Sequence, residues 1–211
     1  MTIDWKKEAA NRKDDFIADL VELLKIDSVR DDSKATTDAP VGPGPKEALE
    51  AFLALGERDG FVTKNVGNLA GHIEYGAGDE TMGVFAHVDV VPVGTGWETD
   101  PFSPVIKDGR IYARGSSDDK GPGVAAYYAL KMIKDLELPV SKKVRFIIGT
   151  DEESGWMCMD HYLANEPIPD FGFSPDAEFP IINGEKGILT VYINTKGNNK
   201  GGKNELISFD A

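Results

Sequence analysis

The chain has 211 residues, in which 36 acidic side chains outnumber 23 basic ones to give a net charge of −13. At roughly 100 to 200 residues per domain this is one large domain, or one domain and part of a second, and so acidic a chain repels a phosphate backbone, which excludes non-specific nucleic-acid binding. No apolar run reaches the roughly 18 to 20 residues of a membrane helix, the charged N-terminus through Glu8 does not read as a signal peptide, and the single cysteine, Cys158, cannot close an internal disulfide, so a cytoplasmic protein with no membrane partner is expected.

In chain order, Trp5, Ala9, Phe16, Leu20, Leu23 and Leu24 recur at three- and four-residue spacings and predict one amphipathic helix from residue 4 to about 25. Asp31 to Pro45 reads as a long loop, and a second helix follows from about Lys46 to Arg58, stopped by Gly60. Short β-type runs come next at Phe61–Thr63, Leu69–Tyr75 and Met82–Ala86. Val105–Lys107 and Arg110–Tyr112 flank Asp108-Gly109, a hairpin signal because both turn positions need positive φ. A helix is expected from about Lys120 to Leu136. Val144–Gly149 is nearly all apolar and predicts a strand buried on both faces, in the middle of an α/β sheet. A helix over Trp156–Ala164 follows, then short strands at Phe171–Phe173, Pro180–Ile182 and Ile188–Asn194 and a polar tract over Lys196–Asn204. Alternating helices and buried strands imply an α/β sandwich with a mixed sheet.

Polar residues cluster where those strands end. Phe85-Ala86 gives way to His87-Val88-Asp89, and Ile147-Ile148-Gly149-Thr150 to Asp151-Glu152-Glu153. Open α/β sheets place their ligands at such carboxyl ends. Asp118-Asp119 lies on a strand-to-helix turn, and Asp176 follows another short strand. One imidazole with several carboxylates suits zinc, manganese or cobalt. On an extended segment His87 and Asp89, two residues apart, point the same way, so one can bind metal while the other orients it. The plainer alternatives are a capping histidine, and acid pairs that are solvated or serve a helix N-terminus. His72 and His161 read as structural, and Cys158 as a packed, inert thiol.

Four motifs in order carry a specific resemblance. Gly83 to Pro92, with His87-Val88-Asp89 at its centre, is followed by Gly96-Trp97 with Asp100-Pro101-Phe102. Arg114 to Gly121 and Thr150 to Gly155 complete the set. Together they resemble the M20 family of co-catalytic zinc peptidases, and with Gly184-Glu185-Lys186-Gly187 the chain is most similar to the dipeptidase V, or Xaa-His dipeptidase, branch. The resemblance implies a sandwich of the zinc-peptidase type, with residues 1–187 as the catalytic, metal-binding domain and 188–211 as the first strand of an incomplete lid domain. It implies that His87 and Asp176 bind the first of two metal ions, that Asp118 bridges both, and that Glu153 binds the second. Asp89 would orient His87, Glu152 would be the general base, and Asp119 would be a neighbour of the site rather than a ligand. The implied cofactor is a pair of Zn2+ ions, with Mn2+ or Co2+ as alternatives, and the implied substrate is a dipeptide with a free amino end.

The same resemblance places a further histidine ligand and the rest of the lid in a chain about twice this long. The expectation is therefore an N-terminal part of a dipeptidase, weakly active or inactive alone, open to association through the surface that the missing C-terminal part would cover. The alternatives are a non-catalytic remnant that binds metal or a partner, and a sibling M20 deacylase or amidohydrolase.

Overall fold

The computed structural model of the chain describes residues 3–178, 180–184 and 186–187. One compact unit runs from Met1 to Ala177. Everything below belongs to it, apart from Pro180–Ile182, which follow it and form no strand. The expected strand at 188–194, the polar tract and the lid segment lie outside the described residues.

The first helical stretch is two helices rather than one, α1 (Trp5–Asn11) and α2 (Lys13–Leu24). They part at Arg12, whose guanidinium is tied to Glu8 at 2.7 Å and to Asp135 at 3.5 Å. Only α2 turns its stripe into the core, through Leu20, Leu23 and Leu24, while α1 buries nothing and leaves Trp5 exposed. α3 (Pro43–Arg58) starts three residues earlier than expected because its first turn is led by proline, which needs no N–H partner there. Gly60 ends it with φ +73°.

Five strands form one sheet: β1 (Val62–Val66), β2 (Ala70–Tyr75), β3 (Thr81–His87), β6 (Lys143–Gly149) and β7 (Phe171–Phe173), in the order β1-β2-β6-β3-β7. β1, β2 and β6 are antiparallel neighbours, whereas β6, β3 and β7 run parallel, so the sheet is mixed as expected. β6 lies in the middle with only its first residue partly exposed. β4 (Val105–Lys107) and β5 (Arg110–Tyr112) make the separate hairpin, with Asp108 at φ +52° and Gly109 at φ +74°. α4 (Lys120–Asp135) packs on β3 beside α2, and α5 (Met157–Asn165) packs on β2 and β1.

The core is aromatic at its centre. Phe146 of β6 stacks on Phe52 of α3 at 5.5 Å, and Tyr127 of α4 meets Phe52 edge-on at 5.8 Å. Burying rings of this size is the main stabilising contribution. These rings hold α3 and α4 together over β6. No helix among the described residues is long and apolar enough to cross a membrane.

Candidate metal centre

Because β3, β6 and β7 are parallel, the residues that follow them emerge at one end of the sheet. His87 is the last residue of β3; Asp151, Glu152 and Glu153 follow β6; Asp176 follows β7; and Asp118 lies on the turn before α4. The fold thus brings His87, Asp89, Asp118, Glu152, Glu153 and Asp176 together.

The His87 ring is buried. Its Nδ1 lies 3.0 Å from the main-chain oxygen of Asp89, which can only accept, so Nδ1 donates and Nε2 is left facing the carboxylates. Around Nε2 stand Asp118 Oδ1 at 3.1 Å, Asp176 Oδ2 at 3.3 Å and Glu152 Oε2 at 3.9 Å. Candidate ligand atoms of His87, Asp118 and Glu153 lie within 4.8 Å of one another, and so do those of His87, Glu152 and Asp176. Asp89 meets Nδ1 with its backbone oxygen at 3.0 Å and also with a carboxylate oxygen at 3.4 Å. That carboxylate also accepts the main-chain N–H groups of Glu152 and Glu153, both at 3.1 Å, fastening the turn after β6 to the end of β3.

The electrostatics ask for a cation. Burial, helped by repulsion from neighbouring carboxylates and opposed by the charge of His87, holds the carboxyl groups of Glu152, Glu153 and Asp176 above their ordinary range. Burial and then Asp176 push Asp119 up to about 7. Burial would lower the pKa of His87, but the hydrogen bond and charge of Asp89, with Asp119 and Asp176, outweigh it and push it up to about 10. Asp119 Oδ1 is buried and has no hydrogen-bond partner among the described residues. One imidazole nitrogen among carboxylate oxygens, with no thiolate, is a donor set for borderline-to-hard divalent ions.

Neither the remaining histidines nor the cysteine belongs to a candidate ligand group among the described residues. His72 shares a 2.8 Å hydrogen bond with the Tyr162 hydroxyl, and a Cβ on Gly67 would lie 2.5 Å from His161 Nε2. Cys158 is buried against Gly149, and burial pushes its thiol up to about 11. An apolar hollow of about 610 Å³ adjoins the centre, bounded by Trp156, Met159, Leu163, Ile168 and Phe171 and reaching His87, Glu152 and Asp176. Sequence reasoning did not find it, because its walls come from α5 and the edge of β7, which no local motif connects.

A mixed α/β sheet with a histidine and carboxylates converging at the ends of its parallel strands places a candidate metal site where open α/β domains bind their ligands. The profile of Peptidase family M20/M25/M40 matches residues 83–196, and the chain belongs to that family. A dipeptidase-named protein of Bacillus subtilis (strain 168), YtjP, is 52% identical over 211 residues, covering 99% of this chain and 46% of that protein. A dipeptidase-named protein of Staphylococcus epidermidis is 54% identical over 186 residues, covering 88% of this chain and 40% of that protein. The chain therefore spans less than half the length of these curated relatives. Among solved structures, the M20 family metallo-carboxypeptidase Sso-CP2 from Sulfolobus solfataricus superposes with a TM-score of 0.64 at 26% identity, covering 77% of this chain and 37% of that one. Human carnosine dipeptidase 1 shares the fold with a TM-score of 0.66 at 22% identity, covering 82% of this chain and 40% of that one.

Proposed function

We propose that the chain carries the metal-binding part of a dipeptidase of the dipeptidase V branch, acting on dipeptides with a free amino end. The observation that carries this reading is the ring of Asp118, Asp176 and Glu152 around His87 Nε2. His87, Asp118, Glu153 and Asp176 would hold two divalent ions, Zn2+ or alternatively Mn2+ or Co2+. When bound, these supply the Lewis acidity that activates water and polarises the scissile carbonyl.

The protein's own part is positional and acid–base. Asp89 fixes the main chain of Glu152 and Glu153, and the two carboxylates fall in different candidate ligand groups around His87, so that Glu153 would serve a metal while Glu152 would be left to act on a water. The raised pKa of Glu152 suits a general base that takes a proton and returns it to the leaving amine. A reducing, cytoplasmic setting is supported by the single buried thiol.

The rest of a full-length relative, we propose, covers the apolar edge at β7 and supplies the second-site histidine, so that this chain alone has little activity. The test is calorimetric titration with Zn2+, followed by dipeptide hydrolysis with added Zn2+ or Mn2+ by the chain and by its Glu152→Ala variant. Metal binding with a rate that falls in the variant is expected. Equal, substantial rates for both would overturn the assignment of the base.

A further inference from the structure

We propose that Arg30 and Asp151 form a positioning strut that holds the turn bearing Glu152 and Glu153, so that Arg30 acts on the metal centre without touching it. This rests on the metal-centre reading above. The Asp151 side chain is wholly buried. Its Oδ1 accepts from Arg30 Nη1 at 2.7 Å, across 121 positions of sequence, and its Oδ2 accepts the main-chain N–H of Met157 at 3.0 Å. Its carbonyl accepts the N–H of Trp156 at 2.8 Å. The turn from Asp151 to Trp156 is therefore closed on Asp151 at both ends, and Glu152 and Glu153 ride on it. Gly155 leaves room for the strut, since a Cβ there would lie 3.1 Å from both Arg30 Nη1 and Asp151 Oδ2.

The segment that carries Arg30 is itself fastened to the other half of the centre. Ser28 Oγ donates to the Val88 carbonyl at 2.6 Å, the Val90 N–H donates to the Ser28 carbonyl at 3.2 Å, and Val29 pairs with Val90 as an isolated parallel bridge. Ser28–Arg30 thus grips the Val88–Val90 segment through the Ser28 hydroxyl and the backbone, and the Glu152–Glu153 turn through one guanidinium. Asp32 accepts from Arg30 Nε at 2.8 Å and keeps the fork aimed at Asp151. A fully buried carboxylate stripped of its cation is strongly unfavourable. Removing Arg30 should therefore make the turn give way, and Glu153 would lose its register with Asp118. A lysine offers a single point charge where the fork spans two acids, so it restores the charge and only part of the geometry.

The strut is tested on this chain without recourse to turnover. Wild type, Arg30→Met, Arg30→Lys, Asp151→Asn and His87→Ala are titrated with Zn2+ by calorimetry and with Co2+, whose visible absorption reports ligand geometry. Arg30→Met and Asp151→Asn are expected to bind about 10- to 100-fold more weakly with an altered cobalt band, and Arg30→Lys to recover part of both. Unchanged affinity and an unchanged band in Arg30→Met, with only a lower Tm, would make the pair a structural brace and overturn the proposal. Should Arg30→Met fail to fold, the isosteric Asp151→Asn decides on the same readouts. His87→Ala separates the two readings. If it abolishes the cobalt band while Arg30→Met leaves it intact, the strut alone fails; if His87→Ala also leaves it intact, the metal centre fails and the strut with it.

Discussion

Asp119 accepts the main-chain N–H of His87 through Oδ2 at 3.2 Å, joining the turn before α4 to the end of β3 across 32 positions of sequence. This bond sets the register in which Asp118 Oδ1 stands 3.1 Å from His87 Nε2. The other oxygen of Asp119 is buried and unpartnered among the described residues. The fold thus accepts one poorly solvated carboxylate behind the candidate ligands in exchange for their alignment, a cost that a nearby cation would offset.

Asp119→Asn keeps an acceptor for the His87 N–H and removes the buried charge. Without metal the variant is expected to be at least as thermostable as wild type, because burial already disfavours the ionised carboxyl. Its affinity for Zn2+ should fall about tenfold, since the negative charge behind the ligands is gone. Thermal melts in EDTA and calorimetric Zn2+ titrations check the pair of outcomes; a large loss of metal-free stability with unchanged affinity would contradict them.

Gly121 is fixed by backbone packing rather than by its dihedrals. A Cβ added there would lie 2.1 Å from the Ser116 carbonyl oxygen, at the turn that delivers Asp118. Gly121→Ala is expected to cost about 1–3 kcal/mol of stability, as overpacking does, and to weaken Zn2+ binding as the turn moves away from His87. Urea unfolding together with a Zn2+ titration measures both effects.

What was legible in the sequence follows the range of the forces involved. The hairpin at Asp108-Gly109 could be read because its turn needs only two adjacent residues at positive φ. β6 could be read because burial on both faces demands an apolar run, and its one charged interior residue, Arg145, is satisfied by Glu74 at 2.6 Å. The convergence of His87, Asp118, Glu152, Glu153 and Asp176 could be read because strand ends mark it. The break at Arg12 could not, because α1 and α2 part over contacts that include Asp135 on α4. Nor could the part played by Arg30 and Asp119, whose partners lie far along the chain.

β7 has β3 as its one strand neighbour among the described residues, and Phe171, Phe173 and Ile168 are 45%, 51% and 71% exposed. An apolar strand edge of this kind favours pairing with another chain. Sedimentation velocity is expected to show concentration-dependent association of the chain, reduced when Phe171→Ser and Phe173→Ser are combined. A species that stays monomeric at every concentration, before and after substitution, would contradict this.

Acid sensitivity should originate at the junction of α2, α3 and α4. Asp19 accepts from Arg58 at 2.6 and 2.8 Å and from the Tyr128 hydroxyl at 2.6 Å, while Asp59 accepts from Arg58 at 2.9 Å and from the Tyr127 hydroxyl at 2.7 Å. Burial alone would raise both carboxyl pKa values, but the Arg58 guanidinium and the tyrosine hydroxyls outweigh it and hold both below the ordinary value. The folded state therefore binds fewer protons here than the unfolded chain, so stability rises with pH across this window. The contribution is complete above the ordinary aspartate pKa of about 3.9 and is lost as pH falls through the depressed folded values. Asp19→Asn and Asp59→Asn should each lower stability at neutral pH and flatten its fall in acid. Urea unfolding in EDTA between about pH 7 and pH 3 reads the slope directly, and an acid limb as steep in both variants as in wild type would place the responsible carboxylates elsewhere.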